Sequence, residues 1–298
     1  MSTAANAIPA SAATVPASIP SIRLFLWSVR REVWENRYLY LAPLAVAVLI
    51  VFATAINVIG TAPRLHMPSL APMAQHQVIE EPFIFASALL MFSAMVVSVF
   101  YSVDALYGER RDRSLLFWKS MPVSDTISVL AKLSIPLLVL PLVTFAVTFV
   151  TQFLMLLLTM MRAGIGLASH LALFQMWWSE FFHLVAYHGL WWAPFWGWFL
   201  LASAYARRAP LLWAVLPPLV IGFGERIAFV TSHFADWLMF RFIGGMSGPP
   251  DPKPMSMGSL MPGTPLGFVT DFHVWAGFAM CAVCLALAVR LRRSRGPA

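Results

Sequence analysis

Four polar residues near the middle of the chain are spaced so that they could do chemistry together. Glu180, His183 and Tyr187 fall at i, i+3 and i+7, one face of a helix, with His188 beside them. Such a group could hold a metal ion or relay a proton. However, His183 and His188 are five residues apart, more than a quarter turn around a helix. Trp177, Trp178, Trp191 and Trp192 flank the group, so it also reads as a polar cluster within an aromatic belt at a membrane interface. Glu225 and Arg226 are adjacent acid and base in an apolar run, pointing about 100° apart on a helix. They are either part of a polar path and its outer gate or two side chains that snorkel to the interface. Cys281 and Cys284 share a helix face, but no second pair completes a four-sulfur site. They read as small packing residues, and no metal is expected.

The densest charge lies elsewhere, in Tyr107–Lys132, which holds Glu109, Arg110, Arg111, Asp112, Arg113, Lys119, Asp125 and Lys132. A short apolar cluster sits inside it, Leu115, Leu116, Phe117, Trp118 and Met121, followed by Pro122. Long apolar runs flank this island, so water must lie at its depth while the cluster needs burial against a partner. Nucleotide chemistry is not encoded here. A P-loop needs a lysine after a glycine, and the three lysines follow Trp118, Ala131 and Pro252. The scattered polar residues compose no Ser/His/Asp or paired-carboxylate site.

The elements that must position these residues follow from composition. The chain has 298 residues, 60% hydrophobic and 11% charged, with mean hydropathy +0.76. That is too little charge to cover a soluble globule of this size. The expected fold is an all-α membrane protein with six transmembrane helices, at about 39–59, 83–106, 130–160, 183–206, 211–230 and 273–289, each near the ~20 apolar residues a bilayer crossing needs. The third is long enough to tilt or to bend at Pro136 and Pro141. Before the first span, residues 22–38 alternate apolar positions (Ile22, Phe25, Leu26, Val29, Val33, Trp34) with Arg23, Arg30, Arg31, Glu32, Glu35 and Arg37 at helical spacing. This predicts an amphipathic helix lying in the membrane interface, arginines toward phosphates. Residues 1–21 are Pro-rich, without a basic and then apolar leader, and read as a disordered tail.

Fifteen of the 20 Lys and Arg residues fall on one side of this topology and five on the other, which places both termini and the 107–129 loop in the cytoplasm. The same distribution accounts for the net charge of +7 without nucleic acid. Of the outer connections, Ser232–Asp271 is the longest. Its aromatic first part, around Asp236–Gly245, predicts an interfacial or re-entrant helix, as Leu171–Phe182 does before the fourth span. No internal repeat supports an inverted-repeat transporter.

With these features assembled, the chain resembles the permease subunit of ABC-2 type transporters. In that family an interfacial helix precedes six spans, and a Glu-Arg-containing loop after the second span carries a short coupling helix, then a Pro-Val-Ser turn and a lysine. The matching residues are Glu109, Arg110, Ser114, Pro122, Val123, Ser124 and Lys132. The resemblance spans residues 22–295 and implies a bacterial inner-membrane exporter subunit, with no catalytic residue or cofactor of its own. ATP and magnesium would be bound by a partner ATPase, and a second permease chain would complete the path. It further implies that Leu115, Leu116, Phe117 and Trp118 fill a groove on the ATPase, with Glu109, Arg110, Arg111, Arg113, Lys119 and Pro122 around them. The competing readings are a membrane-embedded metal-dependent enzyme using Glu180, His183 and His188, and a membrane anchor that transports nothing. A cysteine replacing Ser259 should be labelled by an impermeant maleimide from outside the cell only; labelling confined to the cytoplasmic face would invert the topology.

Overall fold

Lipid offers no partner for backbone amides, so an uncharged run such as Leu39–Ile59 has to be helical. In a computed structural model, described over residues 20–60, 72–112, 123–163, 173–243 and 265–294, it is. The described elements are α1 (Ser21–Glu35), α2 (Tyr38–Gly60), α3 (Pro72–Arg111), α4 (Asp125–Ser134), α5 (Leu140–Ala163), α6 (Leu173–Phe182), α7 (Ala193–Tyr205), α8 (Pro210–Phe229), α9 (His233–Ile243), α10 (Pro265–Thr270) and α11 (Phe272–Ser294). No strand occurs among the described residues. Five helical stretches are long and apolar enough to cross a membrane: Tyr38–Gly60, Glu80–Arg111, Asp125–Met161, Pro210–Phe229 and Phe272–Ser294. They leave large apolar side chains uncovered, including Leu49, Phe85, Phe92, Phe223 and Val283, as lipid-facing helices do. The 1–19 part of the tail and most of the Gly/Pro/Met-rich loop (244–264) lie outside the described residues.

The stretch expected as the fourth span is discontinuous. From His183 to Trp191 it is π-helical, Trp192 breaks it, and α7 then runs for 13 residues. Pro194 supplies a cause, because it has no N–H to donate and its ring crowds the preceding turn. Even so, the segment follows α3 closely. Glu180 meets Ser87, His188 meets Ser98, and Ser203 accepts from the amides of Leu106 and Tyr107. Ser87 and Leu106 are about 28 Å apart at 1.5 Å per helical residue, close to the ~30 Å hydrocarbon core.

The bend expected at Pro136 and Pro141 is a second π-helical stretch, Ile135–Val139, joining α4 to α5. The helix begins at Asp125, earlier than the expected Leu130, because the Ser124 hydroxyl caps it by accepting from the Ile127 amide at 3.2 Å. The two π stretches touch. Pro141 has no N–H for the Leu137 carbonyl, and that carbonyl lies where a Cβ on Gly189 would come within 2.5 Å. Gly197 is similarly close to Cys281, which fits the packing role expected for that cysteine.

A helix covers most of the stretch expected as amphipathic, α1 (Ser21–Glu35), with a different division of faces. Its inner face buries Ser28 and Glu32, and Val29 and Val33 pack toward Leu39, Tyr101 and Ile135. Its outer face exposes Ile22, Leu26, Trp27 and Trp34, with the Arg30 guanidinium 4.5 Å from the Trp34 ring centroid and 5.6 Å from that of Trp27. Arg23 and Arg37 are exposed, and Arg31 is half-buried.

α9 fills the position expected for a helix around Asp236. Its Arg241 is buried over the Trp191 ring and donates to the His273 carbonyl at 2.8 Å. Any side chain on Gly277 would overlap that guanidinium.

Gly189→Ala should cost about 1–3 kcal/mol of stability by overpacking a backbone oxygen. Gly224→Ala, where a methyl would meet nothing within 4 Å, should be neutral or slightly stabilising. Unfolding temperatures of the two variants in detergent check this contrast.

Candidate functional site

Charges brought to the end of an apolar bundle must find either water or each other. Here six find each other. The last turn of α3 supplies Glu109, the start of α4 Asp125, its last turn Lys132, α1 Arg31 and Glu32, and the end of α11 Arg292. Lys132 Nζ lies 2.8 Å from Glu32 Oε1 and 3.1 Å from Glu109 Oε1. Arg292 Nη1 lies 2.6 Å from Glu109 Oε2, and its Nε is 2.9 Å from Asp125 Oδ1. Arg31 Nη2 contacts Glu32 at 2.9 Å and Glu109 at 3.5 Å. A fourth acid, Glu35, lies 3.5 Å from Arg31 Nε at the exposed rim, and Glu32, Glu109, Lys132 and Arg292 are all buried.

Two neighbours complete the cluster. Tyr101 donates its hydroxyl to Glu32 Oε2 at 2.9 Å. Arg110, also buried, donates to the carbonyls of Ser203 at 2.6 Å and Ala206 at 2.7 Å, satisfying acceptors at the C-terminal end of α7. Burial alone would push the Glu32 carboxyl up. The Lys132 ammonium, its hydrogen bond, Arg31 and the Tyr101 hydroxyl outweigh it and hold Glu32 below the usual glutamate range.

Of the residues expected to meet a partner, Glu109 and Arg110 turn inward, where a docked protein cannot reach them in this conformation. The reason is supply of counter-charge: Lys132, Arg31 and Arg292 surround Glu109, and bare helix carbonyls surround Arg110. Arg111 is exposed and pairs with Asp112 at 2.9 Å. Arg113, Leu115, Leu116, Phe117, Trp118, Lys119 and Pro122 lie outside the described residues.

The polar residues in the middle of the chain do not converge. Glu180 is bonded to Ser87 and Gln152, His188 to Ser98, and the His183 ring stacks on Tyr187 at 5.1 Å. Ser87 and Ser98 are eleven residues apart on α3, about 16 Å, so Glu180 and His188 sit at different depths. Among the described residues no group of three His, Cys, Asp or Glu could hold a metal ion. Glu225 caps the following helix, accepting from the Thr231 hydroxyl at 3.0 Å and from the amides of His233 and Phe234 at 2.9 and 2.8 Å. Arg226 is exposed, so the two do not form an inward-facing pair.

Glu32, Tyr101 and Arg292 were not singled out from the sequence. Glu32 hides among arginines on the charged helix face read as turned to phosphates, and Arg292 sits in a basic run that topology alone explains. The available signal was Lys132, a charge inside an otherwise apolar stretch, which needs an acid. Comparison with family models, curated proteins and solved structures found no match for the chain.

Lys132→Met leaves two buried carboxylates sharing fewer cations and should cost about 3–5 kcal/mol. Adding Glu32→Gln should return part of that loss. Because the Glu32 value is depressed in the folded state, its stabilisation is complete above the ordinary glutamate range and is lost as pH falls through the lower folded value. Unfolding temperature should therefore drop on acidification in the wild type and less steeply in Glu32→Gln, which a thermal series across acidic pH measures.

Proposed function

We propose that this protein is the membrane-spanning permease subunit of an ATP-binding cassette exporter of the ABC-2 type. In this reading the broken segment from α6 to α7 is the sixth crossing, and both termini face the cytoplasm of a bacterial inner membrane. Segment 113–122 docks a separate ATPase that binds ATP and magnesium. A second permease chain completes the substrate path, and lipid covers the outer face of α1.

One observation carries the reading. The two feet of segment 113–122, Glu109 before it and Asp125 after it, are both held by Arg292, with Lys132 and Glu32 behind Glu109. A load applied to that segment reaches α1, α3, α4 and α11 together, which is what a docking element needs if a partner's motion is to rearrange the helices. A loop that only covered lipid headgroups would have no use for such a base. The metal-enzyme reading is disfavoured by the separation of Glu180 from His188. The ABC-2 resemblance at Glu109, Arg110, Ser114, Pro122, Val123, Ser124 and Lys132 points the same way.

An ABC ATPase should be encoded beside the gene, and co-expression with it should yield a stable complex. Trp118→Ala should weaken it by about 2 kcal/mol or more, roughly 30-fold in affinity, with membrane insertion unchanged. Arg113→Glu should slow assembly in a salt-dependent way. Wild-type affinity and rate in both variants would mean that this segment docks no ATPase.

A further inference from the structure

A second buried glutamate lies in the interior of the bundle, and its surroundings differ from those of Glu32. Glu180, on α6, is 1% exposed, and Glu32 is 2% exposed. Glu32 meets an ammonium and a guanidinium. Glu180 meets neutral groups only: its Oε2 accepts from the Ser87 hydroxyl and from the Gln152 side-chain amide, each at 3.2 Å. Its Oε1 is buried with no hydrogen-bond partner. No Lys or Arg among the described residues is paired with it. The titratable groups around it are His183, one turn along the same segment and stacked on Tyr187, and, on α3, Glu80 and Glu81 about two turns before Ser87. The described part of α5 offers Thr144, Thr148 and Gln152 and no charge at this level.

An ionised carboxylate with only two neutral donors is costly to bury, so the site must hold a cation. The orientation of Gln152 decides which kind. Trp177 Nε1 can only donate, and it lies 2.8 Å from Gln152 Oε1. The amide oxygen is therefore turned to the indole, and Nε2 faces Ser87 Oγ at 2.6 Å and Glu180. A donor N–H aimed into the site repels a metal ion. It suits a neutral carboxyl whose Oε2 is the carbonyl oxygen. On the lipid side, Phe145, Phe149, Trp177, Trp178 and Phe181 line an apolar groove of ≈ 530 Å³ with no polar lining, which keeps water from this flank.

We infer that Glu180, Ser87 and Gln152 form a proton-binding site inside the membrane domain, with the proton carried on Glu180 Oε1. Any rearrangement that parts α6 from α3 and α5 and admits water releases that proton, so movement at this interface is linked to protonation whatever partner drives it.

Infrared difference spectra of the full chain in lipid nanodiscs, stepped from about pH 5 to about pH 9, test this against the ordinary glutamate range near 4.3. The wild type should show a protonated-carboxyl carbonyl stretch at neutral pH. Glu180→Gln should lose it, and Glu225→Gln should keep it. Should Glu180→Gln fail to fold, Gln152→Leu decides, because removing the donor to Oε2 must move the band of this carboxyl and of no other. Absence of the band at neutral pH in the wild type overturns the inference, as does a band unmoved by Gln152→Leu. Replacing choline by sodium at constant ionic strength should leave the spectrum and the unfolding temperature unchanged; a sodium-dependent rise would assign the site to a metal cation instead.

Discussion

A single ammonium group sets the arrangement of helices at one end of this protein. Lys132 leaves an apolar helix with its charge buried, and it is tolerated there only because Glu32 and Glu109 both reach it. Two carboxylates around one cation would be left over-charged, so Arg31 and Arg292 close the set, and Arg292 in turn takes Asp125. Because each member is needed by at least one other, the four elements that carry them have one mutual register. Networks of this kind are costly when incomplete, which makes the junction of α1, α3, α4 and α11 a rigid unit.

The rest of that end follows from the register. Seating Glu32 inward fixes the rotation of α1, and this presents Trp27, Arg30 and Trp34 outward as one amphipathic surface suited to a headgroup layer. Setting Glu109 against Lys132 places the next residue, Arg110, against the carbonyls that end α7. The α7 terminus is thereby tied to the same unit through a single residue step. The segment between Asp112 and Val123 leaves and re-enters at this base.

Much of this was legible in the sequence at the level of elements. Uninterrupted apolar runs have one structural solution in lipid, so α2, α3, α5, α8 and α11 could be placed from hydropathy, and the alternating pattern of residues 22–38 revealed α1. What the pattern could not reveal is which of two helix faces meets protein. Glu32 lies between arginines, and a charged stripe reads as solvated unless a distant partner is known; its partners Tyr101 and Lys132 are 69 and 100 residues away. The prolines announced irregular backbone, but not that the consequence would be π-helical turns in register with one another. Glu225 was conspicuous by its depth in an apolar run, and its use as a cap for α9 depends on a turn at Val230 that no periodicity encodes.

The two π-helical stretches also explain how a broken segment can hold its place against α3. Opening a helix frees backbone groups, and in an apolar interior these need partners nearby. Trp192 donates back to the Tyr187 carbonyl at 3.2 Å, and the Trp196 indole donates to the His188 carbonyl at 3.0 Å. Side chains then join the segment to α3 at three depths through Ser87, Ser98 and Ser203, all neutral hydroxyls. The contrast with the ionic end lies in the partners and not in the degree of burial. There, opposite charges assembled from four helices offset the desolvation of the buried groups. Around Glu180, among the described residues, the partners are instead a side-chain amide and a hydroxyl. Polar contacts between helices are thus ionic at one end and neutral along the broken segment, where Ser87 and Ser98 meet it and Ser203 reaches α3, in addition to the apolar packing of the bundle.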